Sequence, residues 1–253
     1  LVMSKFNRII EVDGANGVAC VQAGVRNAAI SEAAAVHGLY YAPDPSSQIA
    51  CSIGGNVAEN SGGVHCLKYG LTVHNVLKVR VMLMNGDVIE LGGLAPDAVG
   101  LDLLPVFIGS EGMLGVVTTV WVKLVPKPRH AEVILASFPT VQSAADAVAN
   151  VIAAGLIPAG LEMMDAASTA AVEAYLHAGY DLEAAALLLC ESDGEPDVVA
   201  QEINAMSQIL REAGATRLQV SQNEAERLKF WAGRKSAFPA AARLAPDYYC
   251  MDG

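Results

Sequence analysis

Residues 51–63 read CSIGGNVAENSGG, with paired glycines at Gly54-Gly55 and Gly62-Gly63 and the polar residues Asn56, Glu59 and Asn60 between them. Glycine tolerates positive φ and carries no Cβ, so backbone N–H groups in such a stretch can approach a phosphate or the edge of a ring. Sterics alone would produce the same pattern in a tightly turned, buried connection, and spacing does not separate the two readings. Glycines at 54, 55, 62, 63 and 70 are too many for a regular element, which predicts a structured loop over residues 51–70. Neither G-x-G-x-x-G leading into a helix nor G-x-x-x-x-G-K-[ST] occurs, so Rossmann and P-loop sites lose their main support.

Upstream, residues 9–25, IIEVDGANGVACVQAGV, read as two short strands about an Asn16-Gly17 turn. Residues 27–37 carry an alanine-rich helical pattern ended by Gly38. Downstream, residues 76–84 are almost pure strand, Asn85-Gly86-Asp87 is a turn, and residues 88–91 return. Residues 108–125 include GSEGMLGVVTTVWVKLV, a glycine-punctuated segment running into a long strand that stops at Pro126. Pro126-Lys127-Pro128-Arg129 is the predicted domain boundary. Beyond it, strands at 131–138, 157–164, 184–191 and 216–220 alternate with helices at 140–154, 166–178 and 196–213. That is the rhythm of split β-α-β units and predicts a ferredoxin-like α+β domain.

The 253 residues are 53% hydrophobic and 17% charged, enough apolar material for real cores. The excess of Ala, Val and Leu over aromatics favours helices packed on sheets, in an α/β or α+β protein. A net charge of -11 and a pI near 4.8 oppose a phosphate backbone, and nucleic-acid binding is not expected. Cys20, Cys51, Cys66, Cys190 and Cys250 form no C-x-x-C pair, which suggests neither a disulfide framework nor a zinc cluster and fits a reducing cytoplasm. Cys51 and Cys66 read as small buried hydrophobes. His37, His130 and His177 read as surface residues; His65 and His74 flank the glycine stretch, but two ligands without a third make no metal site, and no metal is expected. The longest apolar run, residues 151–161, has 11 residues and contains Gly155 and Pro158. A bilayer span takes ~20, so no transmembrane segment is expected. The opening LVMSKF does not read as a secretory signal.

PDPSSQIACSIGGNVAENSGGVHCLKYGLTVHNVL at residues 43–77, DLLPVFIGSEGMLGVVT at 102–118 and LVPKP at 124–128 together resemble a known family. They are similar to FAD-linked oxidases of the vanillyl-alcohol-oxidase / p-cresol-methylhydroxylase superfamily, in the branch of 2-hydroxyacid oxidases and dehydrogenases acting on glycolate, D-lactate or D-2-hydroxyglutarate. The resemblance covers nearly the whole chain. It implies an α+β fold with FAD as cofactor: residues 1–127 as part of a p-cresol-methylhydroxylase (PCMH)-type FAD-binding domain, then residues 128–253 as a ferredoxin-like cap or substrate domain.

By position, the resemblance implies that Pro43, Asp44, Cys51, Ser52, Gly54, Gly55, Asn56, Glu59, Asn60, Gly62 and Gly63 line the isoalloxazine and ribityl side of the flavin. His65, Tyr69 and Gly70 fall at the edge of the same wall. Gly109, Ser110, Glu111, Gly112, Gly115, Val116 and Val117 are then expected to approach the pyrophosphate and adenosine, with Met113 standing where many relatives have Thr. The segment LKFWAGRKSAFPAAARLAPDYYCMDG, residues 228–253, resembles the part of these enzymes from which an arginine reaches the active site. This assigns Arg234 to the substrate carboxylate, with Arg243 a weaker candidate. A planar guanidinium suits bidentate carboxylate recognition. Without the resemblance, an arginine after Trp231 on an alanine-rich helix reads as a solvated face residue.

The implied reaction is oxidation of a small 2-hydroxyacid substrate, glycolate or D-lactate, to the 2-oxoacid, with hydride passing to flavin N5 while a base takes the hydroxyl proton. Two family motifs have no match: a G-x-G-T-S-type phosphate loop, expected upstream of Leu1, and an H-x-G-D-G-N-type motif, expected downstream of Gly253. The chain is accordingly expected to be an internal piece, without the catalytic base and flavin-free by itself. Electrons are expected to pass to flavin and iron–sulfur partner subunits of an oxidase complex or to a quinone, in the cytoplasm or at the inner face of the membrane through those subunits. Two alternatives remain open: a non-catalytic flavin-binding or assembly subunit, and a same-fold flavoenzyme with non-redox chemistry, such as an ether-lipid synthase.

Overall fold

The computed structural model describes residues 1–95, 100–245, 247 and 249, so Cys250 lies outside the described residues. The chain divides into two compact units, Leu1–Lys127 and Pro128–Gly253.

In the first unit, β1 (Ile9–Asp13) ends where the Asp13 carboxylate accepts hydrogen bonds from the amides of Ala15 and Asn16 and from the Asn16 side chain. Gly17 adopts φ 64 and the chain returns as β2 (Val18–Gln22), the predicted hairpin with its turn locked by an aspartate. Helix α1 (Asn27–Ala34) runs through a 3-10 turn to Gly38, whose left-handed φ of 69 lets the chain leave as β3 (Leu39–Tyr40). The predicted loop over 51–70 is instead largely helical, as α2 (Ile53–Glu59) and α3 (Cys66–Tyr69), followed by α4 (Thr72–Asn75). Two glycines in the first turn of α2 are tolerated because Ser52 caps it through the Gly55 amide and Gly54 packs against Ala23.

Strands β4 (Val76–Met82) and β5 (Val88–Gly92) form the second predicted hairpin. After α5 (Leu104–Phe107), β6 (Val116–Lys123) enters the middle of an antiparallel sheet of order β1-β2-β6-β4-β5. The long strand ends at Lys123, short of the expected stop at Pro126, and β7 (Val125–Pro126) pairs instead with β3 through Leu39 and Tyr40. One sheet face, with Ala19, Val21, Val79, Val81, Val120 and Val122, packs against Ile30 and Ala34 of α1 and Ile53 and Val57 of α2.

The second unit reads β8 (His130–Phe138), α6 (Val141–Ala153), β9 (Gly160–Asp165), α7 (Ala166–Leu176), β10 (Ala186–Gly194), α8 (Pro196–Glu212), β11 (Arg217–Val220), α9 (Glu224–Lys235) and α10 (Ala237–Ala241). Its antiparallel sheet has the order β11-β8-β10-β9, the ferredoxin-like arrangement, with α7 added between the second and third strands. Side-chain alternation divides the sheet. Ile134, Ala136, Phe138, Ala186, Leu188 and Cys190 form one core with α6 and α8. The other face carries Glu162 of β9 and Glu191 of β10 toward α9. Side-chain oxygens cap α6 at Thr140 and α7 at Asp165; the Ser168 amide bonded to Asp165 holds that carboxyl below its usual range.

Replacing fully buried Leu188 by Ala is expected to cost about 2–5 kcal/mol in urea denaturation by cavity formation. Leu182→Ala, at a half-exposed position, should stay within about 0.5 kcal/mol.

Candidate functional site

Helix α2 supplies the first wall. The Ile53 and Gly54 amides donate to the Val25 and Ala23 carbonyls, and the buried Asn56 side chain donates to Asn27 Oδ1 at 2.9 Å. Asn27 in turn donates to the Pro43 carbonyl at 2.9 Å, so this chain of amides ties residue 43, α1 and α2 together. At its other end, α2 clips the second glycine-rich segment to itself. The Gly109 amide donates to Val57 O at 2.8 Å and the Glu111 amide to Ala58 O at 2.9 Å. The residues on either side of these bonds enclose a cavity of about 300 Å³, at the lower end of the range for small-molecule pockets.

Nine of the sequence-predicted residues line that cavity: Ser52, Gly54, Gly55, Ser110, Glu111, Gly112, Gly115, Val116 and Val117. Ala23, Ala58 and Phe107, with Leu1 and Met3, complete it and escaped sequence reasoning. Small or apolar residues outside a glycine cluster carry no local signal of a site. The glycines divide by role. A Cβ on Gly54 would sit 2.8 Å from Ala23 Cβ, and one on Gly115 2.8 Å from Val81, so these two are demanded by packing. A Cβ on Gly55 would approach only the capping Ser52 Oγ, at 3.3 Å, and one on Gly112 nothing within 4 Å, so packing does not demand glycine at either of these exposed lining positions. Gly112 has φ 76, and its amide has no hydrogen-bond partner among the described residues. The lining mixes small and apolar residues with the Ser52 and Ser110 hydroxyls and the Glu111 carboxylate; its apolar part and its glycines suit a flat ring system, and the Gly112 amide and the two hydroxyls supply donors for a phosphate oxygen, as FAD carries.

The remaining predicted residues of this unit lie outside the cavity lining, many in bonds that shape the loop. Asp44 accepts from the His65 amide at 3.2 Å and pairs with His65 Nδ1 at 2.9 Å. Gly63 packs on the Asp44 backbone, where a Cβ would come within 2.5 Å, and its amide donates to Cys66 Sγ. Asn60, with φ 50, accepts from the Val73 amide, and Gly62 packs under Leu71. Gly70 turns at φ 81 against His74, and Tyr69 meets Tyr40 edge to face at 6.2 Å. Cys51 accepts from the Asn27 amide through its carbonyl, and Glu59 is exposed.

In the second unit, Arg227, Trp231 and Arg234 recur at i, i+4 and i+7 along α9 and meet the acidic sheet face. Buried Glu191 accepts from Arg227 Nη1 at 3.0 Å and from Trp231 Nε1. Arg234 reaches Glu162 Oε2 through Nε at 3.1 Å and Nη2 at 2.8 Å. Arg234 is thus ion-paired within its own unit rather than freely solvated. The Tyr180 hydroxyl donates to the Phe230 carbonyl, and a Cβ on Gly233 would lie 2.1 Å from it, so glycine is required there. Burial pushes the Tyr180 phenol up to about 12 and the Cys190 thiol up as well, which leaves both groups protonated near neutral pH. Arg243 stacks on Tyr175, 4.4 Å from the ring centroid. Glu162 and Glu191 were not singled out from sequence; for Glu191 an acid inside the apolar run ALLLCESDG was the available signal.

Gly54→Ala should cost about 1–3 kcal/mol in thermal or urea unfolding by overpacking against Ala23. Gly55→Ala should stay within about 1 kcal/mol of the parent, because alanine favours the helix while its Cβ crowds the capping Ser52 Oγ at 3.3 Å.

Residues 127–253 match the family described as FAD linked oxidases, C-terminal domain, and residues 1–92 match the FAD binding domain family. Glycolate oxidase subunit GlcD of Escherichia coli (strain K12) is 59% identical over 253 residues, covering 100% of this chain and 51% of that protein. GlcD of Bacillus subtilis (strain 168) is 42% identical, over 100% and 54%. A D-lactate dehydrogenase of Anaerostipes hadrus is 30% identical, over 94% and 52%. The chain spans about half the length of the curated relatives it matches. Among solved structures, an alkyldihydroxyacetonephosphate synthase aligns with a TM-score of 0.78 at 24% identity, over 96% of this chain and 47% of that one. A substrate-bound p-cresol methylhydroxylase aligns at 0.68 and 18%, over 89% and 50%. At these identities the likeness is one of fold, and it agrees with the PCMH-type α+β architecture expected from sequence. The chain belongs to the family of FAD-linked oxidases.

Proposed function

We propose that this chain is part of an FAD-dependent 2-hydroxyacid oxidoreductase that converts glycolate or D-lactate to the 2-oxoacid. Residues 1–127 contribute to the FAD-binding domain and residues 128–253 to the cap or substrate domain. The observation that carries the reading is the joining of α2 to the 109–117 segment around one cavity with an open backbone donor at Gly112. The relatives named for glycolate and D-lactate support the substrate class. FAD, when bound, supplies the hydride acceptor. Ser52, Gly55, Ser110, Gly112, Val116 and Val117 would hold it, the glycines by letting backbone come close and the valines by excluding water. The other predicted residues, from Pro43 and Asp44 through Asn56, Asn60 and Gly63 to His65, support that wall through the bonds among them. Arg234 would orient the substrate carboxylate.

Among the described residues, no helix is long and apolar enough to cross a membrane. We assign electron transfer to flavin and iron–sulfur partner subunits of the assembled enzyme in the cytoplasm, with any membrane association made through them.

Anaerobic titration of the assembled, FAD-loaded enzyme with glycolate and D-lactate should bleach the flavin absorption. No bleaching by any 2-hydroxyacid would sink the oxidation reading and leave a binding subunit or non-redox chemistry. Arg234→Ala should raise KM for both acids about 10- to 100-fold, the scale of hydrogen bonds to a charged group.

A further inference from the structure

Helix α9 is held to its sheet by several anchors of unequal character. Arg227 and Trp231 meet Glu191, whose side chain is 2% exposed, and the Tyr180 hydroxyl fixes the Phe230 carbonyl over Gly233. These interactions set the rotation and height of the helix without Arg234, with Glu191 their buried member and Arg227 17% exposed. The Arg234–Glu162 pair is different, because its side chains are 25% and 23% exposed. Both of its hydrogen bonds use one carboxylate oxygen, Oε2, and one edge of the guanidinium, Nε with Nη2. The Nη1 group has no hydrogen-bond partner among the described residues.

A guanidinium is a rigid planar fork, so gripping its Nε/Nη2 edge fixes the direction of the Nη1/Nη2 edge. That second edge has the geometry for a carboxylate from outside the chain. On the reading that Arg234 binds the substrate carboxylate, we propose that Glu162 is the positioning residue that presents it. Strand β9 carries Glu162 on the α9 side of the sheet, so a rigid element aims the arginine. Glu162 touches no substrate in this scheme. It restricts the rotamers of a long side chain whose helix is already anchored, so its loss acts on substrate binding more than on folding or on the chemical step.

The test uses the assembled, FAD-loaded enzyme with the variants Glu162→Ala, Glu162→Gln, Glu162→Asp and Arg234→Ala. Three quantities are read: KM and kcat for D-lactate, the dissociation constant of oxalate from its perturbation of the flavin spectrum, and the thermal midpoint. Glu162→Ala is expected to raise KM and the oxalate constant about tenfold with kcat changed less than about twofold and the midpoint retained. Glu162→Gln should fall between, since its amide oxygen still accepts, and Glu162→Asp should recover part of the loss. Unchanged or tighter oxalate binding in Glu162→Ala, beside weakened binding in Arg234→Ala, overturns the positioning role while leaving the Arg234 reading intact. A lowered midpoint with KM and kcat both impaired and no rescue by Asp marks the pair as structural and also overturns it. If Arg234→Ala itself binds oxalate normally, the Arg234 reading falls and the proposal with it. Should Glu162→Ala fail to fold, the oxalate constant of Glu162→Gln decides in the same way.

Discussion

Two backbone hydrogen bonds govern the first unit: Gly109 to Val57 and Glu111 to Ala58. A helix leaves its last carbonyls without partners, and those groups must be satisfied by something outside the helix. Here a segment some fifty residues further along the chain satisfies them. That choice brings two glycine-rich stretches side by side and makes one cavity from two sequence motifs. It also explains the backbone of the second stretch. Gly109 and Gly112 at positive φ, and Glu111 at φ 54, bend the chain back so that amides reach α2 before β6 begins.

The second unit rests on a charge that is expensive to bury. Glu191 on the central strand β10 is met there by the Arg227 guanidinium and the Trp231 indole N–H, which offset the cost of burying its charge. Their spacing on α9 then dictates which helix face meets the sheet, and Arg234, one turn further on, must follow. The position of the arginine is a consequence of packing several residues away from it. The two pairs differ mainly in their acids: Glu191 is 2% exposed, whereas Glu162 is 23% exposed and its pair with Arg234 keeps contact with solvent.

Hairpins, glycine-terminated helices and the strand–helix rhythm of the second unit were legible in the sequence because each is set by neighbours a few residues apart. Asp13 with Asn16-Gly17 and Gly38 after an alanine-rich helix are local devices. Helix α2 was not legible, because glycine count argued against a helix. What permits it, the cap by Ser52 and the seat of Gly54 on Ala23, comes partly from another strand end. The sorting of glycines into packed and open ones was equally hidden: Gly54 and Gly55 are adjacent and identical in sequence, yet only one faces a neighbour too close for a methyl group.

By itself, then, the sequence determined the hairpins, the strand–helix rhythm of the second unit, the place where the chain changes character near Pro126, and the motifs that mark an FAD-linked oxidase. These follow from side-chain periodicity, turn chemistry and residues kept together along the chain. Tertiary structure alone decided which glycines packing demands, which amides stay open, and that Arg234 is held by Glu162. Each of those depends on strand order and helix rotation, which bring residues dozens of positions apart within hydrogen-bonding distance and leave no periodic trace in the chain.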